Sequence, residues 1–251
     1  MPRGVELTET GAILLERCYA LFSQLAQTYR DVKTHATEPK GIVVVGMPPT
    51  PGEFILPPLI ERIKRDYPQI VLRTVEGFSR ELEKGMRSGD ISLAVMHDPP
   101  ENTDIVAREL LRETLNLIGP PGTLTQDSYT LAEAAELPLI MPPRPNYLRV
   151  LVDRAADEAK LSLNIAHRVD GVWHLKALVR AGHGFTVLTY GAVLTEIQQG
   201  TLVARPIVDP VMTWQLCVVT HVGNSRKPAF AAVEDAICDI VGDLVARRVW
   251  H

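Results

Sequence analysis

The stretch GIVVVGMPPTPGEFILPPLIERIKRDYPQIVLRTVEGFSRELEKGMRSGDISLAVM, residues 41–96, decides the fold because it switches periodicity four times. Gly41 to Gly46 is a continuous β-branched run bounded by glycines, the pattern of a strand buried on both faces. Pro51 to Asp66 opens with proline and Glu53 and closes with Arg62, Lys64 and Arg65, which suits the two ends of a helix dipole. Tyr67-Pro68 ends that helix, because the residue before proline avoids helical geometry. Ile70 to Val75 is predicted as a second strand. Ser79 is predicted to cap a helix to Arg87, stopped by Ser88-Gly89, and Ile91 to Met96 to form a third strand. This β-α-β-α-β order predicts a parallel sheet with right-handed crossovers.

The rhythm breaks at Gly119-Pro120-Pro121-Gly122, after a β-type stretch from Thr114 to Ile118, and then restarts. Strands are predicted at 137–141, 165–169, 185–189, 202–207 and 214–220, with helices at 131–135, 145–159, 173–181 and 191–198. A final helix runs over about 228–247 and has no sheet of its own, so it is expected to return to the first unit. The chain therefore crosses twice between units, near Ile118 and near Met212. The predicted division is a helix over 1–40, then one domain over 41–251. Subdomain I takes 41–117 and 213–251, and subdomain II takes 118–212.

Ahead of the first strand, Leu14, Cys18, Leu21, Leu25, Thr28 and Val32 step by 4, 3, 4, 3 and 4 residues, a heptad seam. Thr8 stands where a helix cap is expected. The linker-like Ala36-Thr-Glu-Pro-Lys-Gly41 leaves this helix little local core, so the seam is read as a dimerisation surface. The alternative is ordinary docking on its own domain.

Composition narrows the function. The chain has 251 residues, 46% hydrophobic and 22% charged, with a net charge of −4. That fits a soluble globular protein and lacks the basic surplus of a free-standing nucleic-acid binder. Three scattered cysteines (Cys18, Cys217, Cys238) form no zinc or redox motif. The first residues have no apolar signal-peptide core, and no apolar run is long enough to span a bilayer, so a cytoplasmic location is expected. No P-loop, GxGxxG, GxSxG or HExxH occurs, and no catalytic residue, metal site or cofactor is predicted. His97-Asp98 follows a strand and is read as a loop cap. His167, His174 and His183 fall on unrelated elements.

The informative residues lie where strands turn into helices. These are Pro48, Pro49 and Thr50, then Phe78 and Ser79, then Pro143 and Arg144, then Asp170 and Gly171; Thr189 ends another strand. Helix N-termini offer free N–H groups and partial positive charge, which suit an anion. Thr50 and Ser79 add hydroxyls, or alternatively serve only as caps, and Arg144 adds a fixed charge. In an open two-unit α/β fold these turns would converge on a cleft between the units.

An ordered set of short segments resembles the LysR-type transcription regulators. Arg3-Gly-Val-Glu-Leu-Thr-Glu-Thr-Gly11 is similar to that family's RGVxLTxAG. Leu56-Pro-Pro-Leu59, Val75-Glu-Gly77, Gly89-Asp-Ile-Ser-Leu-Ala94, Leu137-Pro-Leu-Ile-Met-Pro142, Leu175-Lys-Ala-Leu-Val179, Ala181-Gly-His-Gly184 and Gly200-Thr-Leu-Val-Ala-Arg-Pro206 follow in order. The resemblance implies a fold like the type II periplasmic binding proteins, with two doubly wound subdomains and an interdomain cleft behind a long linker helix. It implies a small-molecule effector in the cleft, and homodimers or homotetramers through the linker helix. DNA contact would come only through an N-terminal winged helix-turn-helix of about sixty residues, which this sequence is expected to lack. Pro48, Pro143 and Gly171 stand where the family commonly has hydroxyl residues, which points to a more apolar or larger effector. A transporter's solute-binding protein, a decoy subunit and an enzyme on a related scaffold are the competing readings.

Overall fold

The computed structural model describes residues 38–100, 104–224, 227–247 and Trp250, and ahead of them Thr8, Thr10, Gly11, Ile13, Leu14, Arg17, Cys18 and Leu21. The first unit follows the predicted order: β1 (Gly41–Met47), α1 (Pro49–Asp66), β2 (Ile70–Glu76), α2 (Ser79–Ser88) and β3 (Leu93–His97). β1 pairs in parallel with β2 from Gly41↔Ile70 to Met47↔Glu76, and with β3 through Val45↔Leu93. β1 thus lies between two strands, which explains its uninterrupted apolar run.

β4 (Ile105–Gly119) is far longer than the stretch predicted at 114–118. Arg108, Glu109 and Arg112 hide its first half in the sequence; antiparallel sheets tolerate such charges on a solvated face. β10 (Thr213–His221) lies antiparallel between β3 and β4. Beyond this pairing β4 enters a second unit, where Asn116 faces both Leu188 and Pro206. That unit contains β5 (Tyr129–Thr130), α3 (Leu131–Glu136), β6 (Leu139–Met141), α4 (Tyr147–Glu158), β7 (Ile165–Arg168), α5 (Val172–Arg180), β8 (Thr186–Thr189), a 3-10 turn (Gly191–Val193), α6 (Leu194–Gln198) and β9 (Val203–Asp209). α7 (Pro228–Ala246) returns to the first unit, as its lack of a neighbouring strand implied.

Each unit has its own core, and we call them lobes I and II. In lobe I, α1 and α7 cover one sheet face through Ile55, Leu59, Ile63, Val233, Ile237 and Val241 against Val43, Val45, Leu93 and Val218. α2 covers the other face through Leu82 and Met86 against Ala94, Met96 and Val219. Helices on both faces make this lobe doubly wound. In lobe II, Val152, Ala156, Leu175 and Val179 pack on Leu115, Leu117, Leu139, Ile140 and Val187. Burying one such leucine or valine contributes about 1.5–3 kcal/mol.

Helix starts depart from expectation. Ser79 does not cap α2: Phe78 is the N-cap, with no side-chain hydrogen bond. Pro48 likewise caps α1 without one, and Thr50 sits inside the helix. Thr8 behaves as expected, its hydroxyl accepting from the Gly11 N–H at 3.1 Å. Of the seam residues, Leu14, Cys18 and Leu21 are helical, and Leu25, Thr28 and Val32 lie outside the described residues.

Candidate functional site

The turns after β1, β2, β6 and β7 meet where the lobes face each other. They border a cavity of about 220 Å³. All ten residues singled out from the sequence line it: Pro48, Pro49, Thr50, Phe78, Ser79, Pro143, Arg144, Asp170, Gly171 and Thr189. The physical reason is topological. Each parallel strand ends at the same edge of its sheet, so each following turn opens toward the other lobe.

Several of these groups are already engaged. The Ser79 hydroxyl donates to the His97 carbonyl at 3.2 Å. The Arg144 guanidinium donates to Asp153 at 2.6 Å, and two-thirds of its side chain faces solvent. Asp153 also holds the buried Arg149 at 2.8 Å. The Gly171 N–H donates to its neighbour Asp170 at 3.0 Å. Among the described residues the hydroxyls of Thr50 and Thr189 make no hydrogen bond to the protein.

Helix α1 offers few donors. Pro49 and Pro51 have no N–H, and the Gly52 N–H bonds to the Pro48 carbonyl at 2.9 Å, so Thr50 supplies the one free N–H of the first turn. Gly171 is set by backbone geometry. Its φ of +88° disfavours any side chain, and an added Cβ would lie 3.3 Å from His174 Nδ1.

Among the cavity residues not singled out from the sequence, His97, Glu113 and Trp214 form a group. His97 was expected as a loop cap; instead it ends β3, buried, with Nε2 at 3.1 Å from Glu113 Oε2. Its ring stacks on Trp214 with centroids 3.8 Å apart. Glu113 is 1% exposed, and its other oxygen accepts from Trp250 Nε1 at 2.8 Å. Trp250 is fully buried against Phe54 of α1, and a Cβ on Gly191 would come within 2.9 Å of its indole nitrogen. Glu113 therefore joins the lobe I sheet, the crossover strand and the C-terminal segment, with lobe II's 3-10 turn packed alongside. Trp214 Nε1 is buried beside the cavity without an acceptor among the described residues. The sequence held one clue. Glu113 is in phase with the buried Leu111 and Leu115, so alternation places a carboxylate on an apolar face. Asp98 does act as a cap, accepting from the Gln215 N–H at 3.2 Å.

At the rim, the Tyr147 hydroxyl of lobe II donates to Glu83 of lobe I at 3.5 Å. Burial and the Glu83 carboxylate push this phenol above the usual tyrosine value. Among the described residues no group of His, Cys, Asp and Glu side chains is arranged to hold a metal ion, and no helix is long and apolar enough to cross a membrane.

Residues 36–239 match the LysR substrate binding domain. The chain belongs to the LysR family. Among curated relatives, the HTH-type transcriptional regulator BbuR of Bordetella bronchiseptica is 27% identical over 250 residues, covering 99% of this chain and 77% of that protein. Among solved structures, a mutant OxyR of Corynebacterium glutamicum superposes with TM-score 0.71 at 20% identity, covering 95% of this chain and 76% of that one. The effector-binding domain of QuiR in complex with shikimate gives TM-score 0.71 at 17% identity, covering 81% and 98%. At those identities the structural matches establish the fold alone: the LysR effector-binding fold, like that of the type II periplasmic binding proteins. The curated relatives are transcription regulators, and LysR regulators bind small-molecule effectors and oligomerise.

Proposed function

We propose that this chain is the sensing and oligomerisation region of a LysR-type transcription regulator. A small molecule binds between lobe I (41–117 and 213–251) and lobe II (118–212), and the helix within residues 1–40 joins protomers. The observation that carries the reading is the cavity itself, bordered by turns from both lobes. Among the described residues two connections run between the lobes, within β4 and between β9 and β10, so bound ligand can bias the angle between them as a population shift. In the cytoplasm this change would pass through the helix to a DNA-reading module. The apolar stripe of that helix supports the dimer. Leu14 and Leu21 are 65% and 66% exposed on the single chain, a cost that a partner helix would remove.

A thermal-shift screen of the chain against aromatic acids, aromatic amines, amides, amino acids and dicarboxylates tests the sensor. Saturable stabilisation by one chemical class is the expected result; a flat response across all classes would sink the proposal. Leu21→Asp should halve the mass measured by light scattering, since it places a charge in the seam. An unchanged mass would refute the seam.

A further inference from the structure

We infer that the effector is a flat apolar molecule carrying no negative charge, either neutral or cationic. This rests on the cavity being the effector site. The wall is apolar and stiff, with Pro48, Pro49, Pro143, Phe78, Leu188 and Trp214 among its lining. Proline and aromatic side chains lose little freedom when a ligand is clamped between them, so the cavity favours a rigid planar shape.

The charges decide the sign. Two guanidinium groups border the cavity, Arg80 and Arg144, and three carboxylates do, Glu81, Glu113 and Asp170. Arg144 is neutralised by Asp153 at 2.6 Å and lies mostly in solvent. Glu113 is the most buried of the carboxylates. Its partners are an indole N–H and an imidazole, and no lysine or arginine pairs with it among the described residues. A carboxylate removed from water without a lysine or arginine partner favours a positive neighbour and repels a negative one.

The helix termini do not offset this. α1 presents two prolines where an anion would need N–H groups. Glu81 occupies the first turn of α2, and Asp170 turns its own carboxylate onto the Gly171 N–H at the start of α5. Two of the four helix starts therefore already carry an anion of the protein. Arg80 is exposed, where solvent screens its charge; beside it a ligand carboxylate would meet the hydroxyls of Thr50 and Thr189, and a hydroxyl compensates a charge poorly.

Benzamidine, benzamide and benzoate test this, because they share a planar skeleton and differ in charge: +1, 0 and −1 at neutral pH. Affinity for the chain is measured by calorimetry. Location is read from tryptophan fluorescence in the parent and in Trp214→Phe, since Trp214 borders the cavity. Benzamidine and benzamide are expected to bind about tenfold or more tighter than benzoate, the scale of one close like-charge contact. The fluorescence change should vanish in Trp214→Phe. Glu113→Gln should narrow the benzamidine-to-benzoate ratio to about threefold or less; if that variant fails to fold, exposed Asp170→Asn should narrow the ratio in the same direction. Benzoate binding tightest, with a signal that needs Trp214, would overturn the charge assignment and leave the sensor cavity standing. Binding whose signal persists in Trp214→Phe, or no binding by any of the three, would overturn both.

Discussion

The two lobes face one cavity but are held together by different forces. Lobe I is cemented by aliphatic contact on both faces of its sheet. Lobe II adds buried lysine and arginine ion pairs, whereas the arginine pairs of lobe I, such as Arg62 with Asp239, lie at the surface. Lys176 meets Glu196 at 2.8 Å with both side chains almost fully buried, and also donates to the Ala192 carbonyl at 2.9 Å. Arg149 and Arg144 share Asp153. The difference shows why the charged residues of lobe II are poor guides to its ligand: most of them position its own helices. Buried pairs of this kind fix geometry more than they add stability, because desolvation offsets their attraction.

The contrast is sharpest at Lys176. Lys176→Met should destabilise the protein by about 3–5 kcal/mol in urea denaturation, because Glu196 would be left buried without its cation. Lys176→Met combined with Glu196→Leu should recover most of that loss; failure to recover would mean that the pair adds net stability. In lobe I the comparable change is Leu59→Ala, expected to cost about 2–5 kcal/mol through lost burial and a residual cavity, with no ionic partner able to rescue it. If a second-site charge change did rescue it, the distinction between the lobes would collapse.

Between these sits Trp250. Trp250→Phe keeps most of the ring contact with Phe54 but removes the hydrogen bond to Glu113. A loss of about 1–3 kcal/mol is expected, the cost of leaving a buried acceptor short of one donor. A thermal midpoint identical to the parent would show that Glu113 finds another partner.

A gentler probe uses the thiols. Cys217 and Cys238 both belong to lobe I, and burial pushes each from the ordinary thiol value of 9.0 to about 11. With Cys18→Ser as the background, both should react slowly with a thiol reagent at pH 8 and so report lobe I opening. The sign follows from linkage. The unfolded chain releases these protons first, so the stability they contribute is full below about pH 9 and is lost as pH rises toward 11. Labelling as fast as in the unfolded protein would contradict a tightly packed lobe I. The smallest effect is expected at Arg144→Ala. Its side chain is mostly solvated and Asp153 retains Arg149, so the melting temperature should stay within error of the parent.

Much of this molecule could be read in one dimension. The run Gly41–Gly46 defines a central strand because β-branched residues without alternation suit a strand covered on both sides. The strand-to-helix turns were legible for a related reason: parallel strands deliver every such turn to one edge, so naming the turns named the residues that border the cavity. The heptad spacing of Leu14, Cys18 and Leu21 is a reading of the sequence alone, and Leu14 and Leu21 are exposed in the fold.

The sequence by itself determined the order of elements and the residues at the mouth of the cleft, because both follow from local periodicity and from where strands end. Tertiary structure alone decided what those residues are free to do. Arg144 looked available until α4 folded Asp153 back against it, nine positions along the chain. His97 looked like a loop cap until β4 brought Glu113 across from sixteen positions away, and Trp250 reached the same carboxylate from 137 positions away. Charge pairing depends on distance in space, and sequence spacing fixes distance only within a single helix or strand.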